Sequence, residues 1–221
     1  MEKLNVILTG ATGMVGEGVL LECLSNPAVE SVLVIGRRAS GHTHAKLKEI
    51  LHAYLSELSS IEDKVTGYNA CFFCAGVSSV GKKEDEYTKL TYTLTLGFAK
   101  TLSKVNPTMN FCYVSGKSTD STEKGSQMWA RVKGKTENDL AKLPFKNVYN
   151  FRQGIMKPTE GQKYVLPAYK YVGWLYPVIA ALSSNLACTI KVVGEAMINV
   201  CQKGYTTKAI EVKDIVALAK N

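Results

Sequence analysis

The chain has 221 residues, 46% of them hydrophobic and 21% charged, and its formal net charge is +8. These values are ordinary for one soluble globular domain with a sizeable core. The basic excess is spread along the chain, which suits an anionic ligand such as a phosphorylated cofactor, and no nucleic-acid-binding motif is visible, so no nucleic-acid partner is expected.

A glycine-rich turn lies near the N-terminus, between an apolar run at residues 4–8, which predicts a buried strand, and residues 15–24, which predict a helix. Glycine allows a tight turn and lets backbone N–H groups approach phosphates at the positive end of the helix. The alternative is a purely structural turn. The context favours a pyrophosphate site at Gly10, Thr12, Gly13, Met14, Val15 and Gly16.

The residues after the second predicted strand, 31–35, indicate which cofactor binds. An NAD site usually has a carboxylate there to hold the ribose 2′-hydroxyl. This chain has Gly36, Arg37 and Arg38 with no nearby acid. Because a guanidinium can bind a 2′-phosphate with two parallel hydrogen bonds, we predict NADP(H) rather than NAD(H), bound first by Arg37 and second by Arg38. The alternative is that both arginines are solvated loop residues.

Further strands and helices alternate along the chain. Strands are predicted at 50–55, 70–75, 110–115, 148–152 and 209–212, and helices at 61–65, 84–105 and 126–143, with a last short helix capped by Asp214. This alternation predicts an α/β fold with a doubly wound, mostly parallel sheet of the Rossmann type. We expect one domain, 1–221, in which residues 157–204 form a small substrate-covering region. Leu58, after the third strand, is expected near the adenine.

The positions of the cysteines and histidines argue against a thiol–disulfide redox site and against a metal site. The chain has six cysteines, mostly in apolar contexts, which predicts buried free thiols in a reducing compartment. Cys71 and Cys74 have the spacing of a redox motif, but on a strand they point to opposite faces. His42 and His44 lie in a loop without partnering cysteines or carboxylates, so no metal site is predicted. Because the glycine turn and acidic residues interrupt the N-terminal apolar run, we do not expect it to be a secretory signal, and a cytoplasmic location is expected.

An apolar, aromatic segment spans residues 164–182. Pro167, Lys170 and Pro177 argue against a membrane span. Three interpretations remain open: the segment covers the substrate pocket, forms a dimer surface, or makes peripheral contact with a membrane.

The chain resembles the short-chain dehydrogenase/reductase superfamily in several motifs and in their order along the sequence. The chain is most similar to its atypical branch, which contains NAD-dependent epimerase/dehydratase-like and Tat-interacting-protein-like members. The resemblance covers nearly the whole chain. It rests on the stretch from Thr9 to Gly16, on Gly36-Arg37-Arg38, Cys74-Ala75-Gly76, Tyr113-Val114-Ser115, Lys133 and Phe151-Arg152-Gln153-Gly154.

The resemblance implies a catalytic serine, tyrosine and lysine, the last two being four residues apart on one helix face. In the family, the tyrosine passes a proton to the substrate oxygen, the lysine lowers the tyrosine pKa and holds the nicotinamide ribose, and the serine orients the oxygen. Ser115 and Lys133 match two of these positions, but the tyrosine position is occupied by Trp129. An indole N–H cannot act as an acid near neutral pH.

Three explanations for this substitution are open. Another group supplies the proton, with Tyr92 the first choice and Tyr87, Tyr113 or Lys117 behind it. Alternatively, the chemistry needs no such acid, or the protein binds its cofactor without turnover. The resemblance also implies that the adenosine–ribose path is lined by Cys74, Ala75 and Gly76, and that the carboxamide lies near Gln153, Gly154 and Ile155.

The sequence therefore predicts an NADP(H)-dependent oxidoreductase or epimerase-like enzyme acting on a small or lipophilic carbonyl substrate. The alternative is a non-catalytic, NADPH-sensing or scaffold protein, which Trp129 favours. A monomer is compatible with the sequence, as is a homodimer that pairs through the helices at 84–105 and 126–143.

Overall fold

Parallel strands form the centre of the molecule. The computed structural model describes residues 2–165, 169 and 187–220. Within them, a seven-stranded parallel sheet has the order β3-β2-β1-β4-β5-β6-β9. The doubly wound α/β prediction is confirmed. The strands are β1 (Leu4–Thr9), β2 (Val29–Gly36), β3 (Leu47–Leu51), β4 (Ala70–Phe73), β5 (Asn110–Val114), β6 (Asn147–Arg152) and β9 (Ala209–Glu211).

Helices connect these strands, and two short strands form a separate parallel pair. The pair is β7 (Ile155–Lys157) with β8 (Ala187–Thr189). A 3-10 helix spans Ser59–Val65, and a π-helical turn, Lys89–Thr93, joins α2 to α3 in one continuous helix. The α-helices are α1 (Met14–Ser25), α2 (Glu84–Thr88), α3 (Leu94–Val105), α4 (Met128–Leu140), α5 (Ile190–Lys203) and α6 (Val212–Ala219).

The sheet separates two hydrophobic cores because successive side chains on a strand point to opposite faces. Val6 and Leu8 belong to the core shared with α1, α5 and α6, whereas Ile7 belongs to the other. In this second core the ring of Phe73 packs 5.2 Å from that of Phe98 on α3. Strands buried on both sides explain why β1, β4 and β5 are almost continuously apolar in the sequence.

The same alternation places the two cysteines of the Cys-x-x-Cys stretch on different faces of the sheet. Cys71 is buried in the second core, and Cys74 packs against the first. The prediction that these two thiols lie on opposite faces of the sheet is confirmed. All six cysteines are free thiols.

The strand order places a crevice at one position of the sheet. The chain winds from β1 outward to β2 and β3, then returns to β4 on the other side of β1. Ligands of doubly wound sheets bind outside the carboxyl ends of the strands at this reversal of order. The ends of β1 and β4, followed by Gly10 and Cys74, lie there.

Two predicted boundaries were wrong. The third strand spans Leu47–Leu51 rather than residues 50–55, because it is an edge strand paired only with β2 and largely exposed, so its sequence alternation is faint. Asp214 is not the cap of the last helix. Glu211 is the N-cap residue of α6, and Asp214 completes a capping box with it three residues later.

A substrate-covering region was predicted at residues 157–204. Its last part forms α5, whose Val193, Met197 and Val200 are fully buried in the first core. An amphipathic helix packed against α1 belongs to the sheet domain. Most of the apolar segment 164–182 lies outside the described residues. No helix in the described part of the chain is both long and apolar enough to cross a membrane.

Candidate functional site

A cleft of about 440 Å³ opens at the carboxyl ends of β1, β2 and β4. It is bounded by the glycine turn, by the segment after β2 and by the segment after β4. Eight of the residues predicted to bind the cofactor line this one cleft: Gly10, Thr12, Gly13, Arg37, Arg38, Cys74, Ala75 and Gly76.

The three positions of the turn differ in whether packing requires glycine. Gly10 has φ +77°, and a Cβ there would lie 2.6 Å from the carbonyl carbon of Cys74. A Cβ on Gly16 would lie 2.2 Å from the Gly10 oxygen, so both positions require close backbone packing. A Cβ on Gly13 would lie 3.4 Å from that same oxygen, at an ordinary contact distance. Packing therefore does not require glycine at position 13, where its effect is to leave space above the helix.

This space lies at the N-terminus of α1. Gly13 is the N-cap residue, and no side chain caps the helix. The first N–H groups of α1 and its positive dipole end therefore suit an anion, and a pyrophosphate fits this arrangement. The side chain of Met14 is 8% exposed, and those of Met14 and Val15 both pack in the first core, so any contribution from these residues is through the backbone.

The part of the cleft that follows β2 is basic. Arg37 and Arg38 follow β2, and both are exposed. The described lining of the cleft contains no carboxylate. Leu58 was predicted to lie near the adenine, but it is fully buried in the second core. Ala53, Tyr54, Leu55 and Ser56 line the cleft instead, and the earlier position of β3 accounts for this shift.

Trp129 and Lys133 lie together beside Gly116. A Cβ on Gly116 would be 3.5 Å from the Trp129 ring and 4.0 Å from Cδ of Lys133. The Lys133 ammonium donates to the carbonyl oxygen of Val114 at 3.2 Å and lies 5.3 Å from the centre of the Tyr113 ring. Burial lowers the pKa of Lys133 to about 8, although the charge of Glu137 opposes this.

Ser115 lies at the same end of the sheet but is only 2% exposed. Its hydroxyl is 3.0 Å from that of Thr119, which in turn donates to the carbonyl oxygen of Gly116. Gln153 donates its amide to the carbonyl oxygen of Ser115, and the amide oxygen of Gln153 is buried without a partner in the described structure. Gly154 and Ile155 follow directly, and Ile155 is 40% exposed.

The tyrosines predicted as substitute acids are engaged or buried. Tyr92 donates its hydroxyl to Asp139 at 2.8 Å, and this bond, together with burial, raises its pKa. The first choice, Tyr92, thus has its hydroxyl bound to a carboxylate near the C-terminal end of α4. Tyr87 and Tyr113 are each 2% exposed, and burial raises the pKa of both.

Sequence reasoning missed a buried carboxylate on α1. The Glu17 side chain is fully buried and accepts hydrogen bonds from His42 at 2.9 Å and from the backbone N–H groups of Lys163 and Tyr164 at 2.8 and 2.7 Å. His42 therefore has a carboxylate partner, contrary to the prediction. A helical carboxylate in an apolar stretch was the available signal, but its partners lie 25 and about 146 residues away.

We expect Glu17→Gln to destabilise the protein by about 1–3 kcal/mol at pH 7, because it leaves buried donors poorly paired. Burial raises the Glu17 pKa, but the hydrogen bonds outweigh it, so the pKa lies below 4.5. The carboxylate therefore stabilises the fold above that pH and loses this effect as the pH falls below it. Urea unfolding between pH 7 and pH 3.5 should show the difference from wild type shrinking. A constant difference, or an equal loss in the exposed Glu30→Gln, would contradict this.

The comparisons agree with this geometry. Residues 6–127 match the model of the NAD dependent epimerase/dehydratase family. The protein fmp52, mitochondrial, of Emericella nidulans is 30% identical over 204 residues, which cover 88% of this chain and 86% of that protein. The protein HTATIP2 of Rattus norvegicus is 24% identical over 158 residues, 71% of this chain and 64% of that protein.

Solved structures share the fold at low sequence identity. The Bordetella bronchiseptica enzyme WbmF in complex with NAD+ has a TM-score of 0.68 and 13% identity, covering 99% of this chain and 77% of that chain. A UDP-N-acetylglucosamine 4-epimerase from Methanobrevibacter ruminantium M1 has a TM-score of 0.66 and 16% identity, covering 93% and 75%. The fold and the glycine cleft thus define a Rossmann-type α/β protein. The chain belongs to the NAD dependent epimerase/dehydratase family.

Proposed function

We propose that this protein is an NADP(H)-dependent oxidoreductase or epimerase-like enzyme that acts on a small or lipophilic carbonyl substrate. The observation that carries the cofactor choice is the pair Arg37 and Arg38 at the cleft, whose described lining has no carboxylate. A 2′-phosphate needs cationic, bidentate donors, whereas a 2′-hydroxyl needs an acceptor such as Asp or Glu.

Different residues around the cleft would bind different parts of the cofactor. The uncapped N-terminus of α1 would hold the pyrophosphate, with Gly13 leaving the space for it. Ala53, Tyr54, Leu55 and Ser56 would enclose the adenine, and Cys74, Ala75 and Gly76 the adjoining ribose. Lys133 would hold the nicotinamide ribose, with Gln153, Gly154 and Ile155 near the carboxamide. The bound nicotinamide would supply hydride transfer, and the protein would position the substrate carbonyl against it.

We expect wild-type protein to bind NADPH more tightly than NADH, and Arg37→Ala to weaken NADPH binding about 10- to 100-fold, because one charged hydrogen-bonding partner of the 2′-phosphate is lost. NADH binding should change little. The measurement is a fluorescence titration with each nucleotide, which excites tryptophan and records both its quenching and the nicotinamide emission. Trp129 should lie close enough to the nicotinamide for strong energy transfer.

The matched control is Lys64→Ala, which removes one exposed cation from the 3-10 helix, outside the cleft lining. It should leave both affinities unchanged. Equal losses for NADPH and NADH in Arg37→Ala would contradict the 2′-phosphate assignment. Failure of the wild-type chain to bind either nucleotide would contradict the proposed function itself.

A second candidate is a non-catalytic NADPH sensor, and two observations favour it. The indole of Trp129 replaces the family's phenol, and the hydroxyl of Tyr92 is held by Asp139. NADPH oxidation should be followed with a panel of aldehydes and ketones. Turnover that disappears in Lys133→Ala would support the enzyme. Tight NADPH binding without turnover by the wild-type chain, with turnover appearing in Trp129→Tyr, would support the sensor.

We propose a monomer or a homodimer paired through the long helices, with residues 164–182 placed against substrate, partner or membrane. We propose a cytoplasmic location for this chain, whereas the fungal relatives are named mitochondrial. Fractionation of cells that express the tagged chain would decide between these two locations.

A further inference from the structure

The proton needed for carbonyl chemistry requires a source near the nicotinamide side of the cleft. The hydroxyl of Tyr92 donates to Asp139, and Tyr87 and Tyr113 are each 2% exposed. Trp129 takes the position of the family's phenol, and its indole has no acidity near neutral pH. These contacts leave the tyrosines poorly placed to protonate a substrate oxygen.

Lys133 is placed differently. It lies one turn after Trp129 on α4, and its stem and the indole both border Gly116. Its ammonium has three N–H donors, one of which is directed to the Val114 carbonyl oxygen at 3.2 Å. Lys133 thus stands at the carboxyl end of β5, the edge of the sheet at which the cleft opens.

The surroundings of Lys133 favour proton release. Its ammonium faces the Tyr113 ring on β5, and Glu137 lies one turn further along α4, while Tyr87 of α2 adjoins Tyr113. Burial lowers the lysine pKa from 10.5 to about 8, with Glu137 opposing the change. A group with a pKa near the working pH is an efficient general acid.

We propose that the ammonium of Lys133 itself donates the proton to the substrate's carbonyl oxygen. This inference rests on the proposed function. As a hydride from the bound reduced nicotinamide forms a C–H bond at the carbonyl carbon, the C=O π electrons move to the oxygen. An Nζ–H bond of Lys133 breaks, and its proton forms the new O–H bond. The carbonyl compound is reduced to an alcohol, the nicotinamide is oxidised, and the neutral amine regains a proton from water.

The first test needs no cofactor. Lysines of the whole chain are dimethylated with ¹³C-formaldehyde, and their NMR signals are followed from pH 6 to pH 11, with Lys133→Arg used to assign the Lys133 signal. That signal should titrate near pH 8, whereas exposed lysines should titrate at about pH 10.4. A Lys133 signal that titrates with the exposed lysines would overturn the proposal.

The second test separates proton donation from cofactor binding. Arginine keeps the positive charge but cannot release a proton in this pH range. Lys133→Arg should retain NADPH affinity within a few-fold, yet slow single-turnover NADPH oxidation by about 100-fold or more. In the wild-type protein, this rate should fall as the pH rises through about 8, because the ammonium becomes neutral. Lys135→Arg, an exposed neighbour on α4, is the matched control.

The outcomes distinguish this inference from the proposed function. If wild type oxidises NADPH and Lys133→Arg does so equally fast, only the role of Lys133 fails. If Lys117→Arg loses turnover instead, Lys117 is the donor and the inference is wrong. Loss of NADPH binding in Lys133→Arg would show that Lys133 acts in cofactor binding, and the inferred proton donation would be wrong. If wild type binds no NADPH, or binds it without any turnover, the proposed enzyme fails and this role with it.

Discussion

We expect Gly16→Ala to lower the free energy of unfolding by about 3 kcal/mol and to abolish nucleotide binding. The added Cβ would lie 2.2 Å from the oxygen and 2.5 Å from the carbonyl carbon of Gly10. Both are backbone atoms of the turn between β1 and α1, so relief requires that α1 and the turn separate. This strain far exceeds the helix propensity of about 1 kcal/mol that alanine adds over glycine.

The matched variant is Gly13→Ala, which adds the same methyl group three residues earlier. Position 13 has φ −120°, and its Cβ would meet the Gly10 oxygen at 3.4 Å. Urea unfolding should show stability within about 0.5 kcal/mol of wild type, and the fluorescence titration should show NADPH binding at least about 10-fold weaker. Equal stability of both variants would refute the packing argument, and unchanged affinity in Gly13→Ala would refute the phosphate position.

The second large effect concerns the buried ion pair between Arg152 of β6 and Glu137 of α4. The two side chains are 14% and 4% exposed, and the guanidinium also donates to Ser121 at 2.6 Å and lies 3.5 Å from Glu211. Glu137→Ala should cost about 3–5 kcal/mol, because it leaves a largely buried guanidinium without its main partner. Urea denaturation at pH 7 measures this loss.

The control removes another glutamate from an ion pair at the surface. Glu84 pairs with Arg131 at 2.7 Å, but the two side chains are 48% and 25% exposed. Glu84→Ala should therefore cost less than about 1 kcal/mol, although the change in charge is the same. If Glu137→Ala proved equally mild, Glu211 and Ser121 would be sufficient partners for Arg152.

Local sequence patterns predicted the sheet because its strands are buried on both faces and its first turn is built from glycine. Runs such as residues 70–73 cannot be confused with exposed segments. The pattern failed at β3, where the strand is exposed. It also did not indicate that α5 packs its apolar face in the first core, because the partner of an apolar helix face cannot be identified from the helix sequence alone.

The cofactor cleft was likewise predictable in large part, since many of the residues that line it follow directly after β1, β2 and β4. Long-range side-chain contacts were not. Glu17 finds its partners at His42 and at residues 163–164, and Tyr92 finds its partner 47 residues away on α4. No local spacing encodes such pairs. For this reason the sequence did not indicate that the Tyr92 hydroxyl binds Asp139, whereas the motif positions of Lys133 and Trp129 come together beside Gly116.

The cysteines are distributed unequally between the two cores, so their thiols can serve as native probes of local opening. Cys71 alone belongs to the core beneath α3, while Cys23, Cys112 and Cys188 are buried in the other, where Cys74 and Cys201 pack against them. A thiol reagent that reaches Cys71 first reports opening of one face while the opposite face stays closed. The native chain therefore carries its own probes of which layer detaches first, and no residue needs to be introduced.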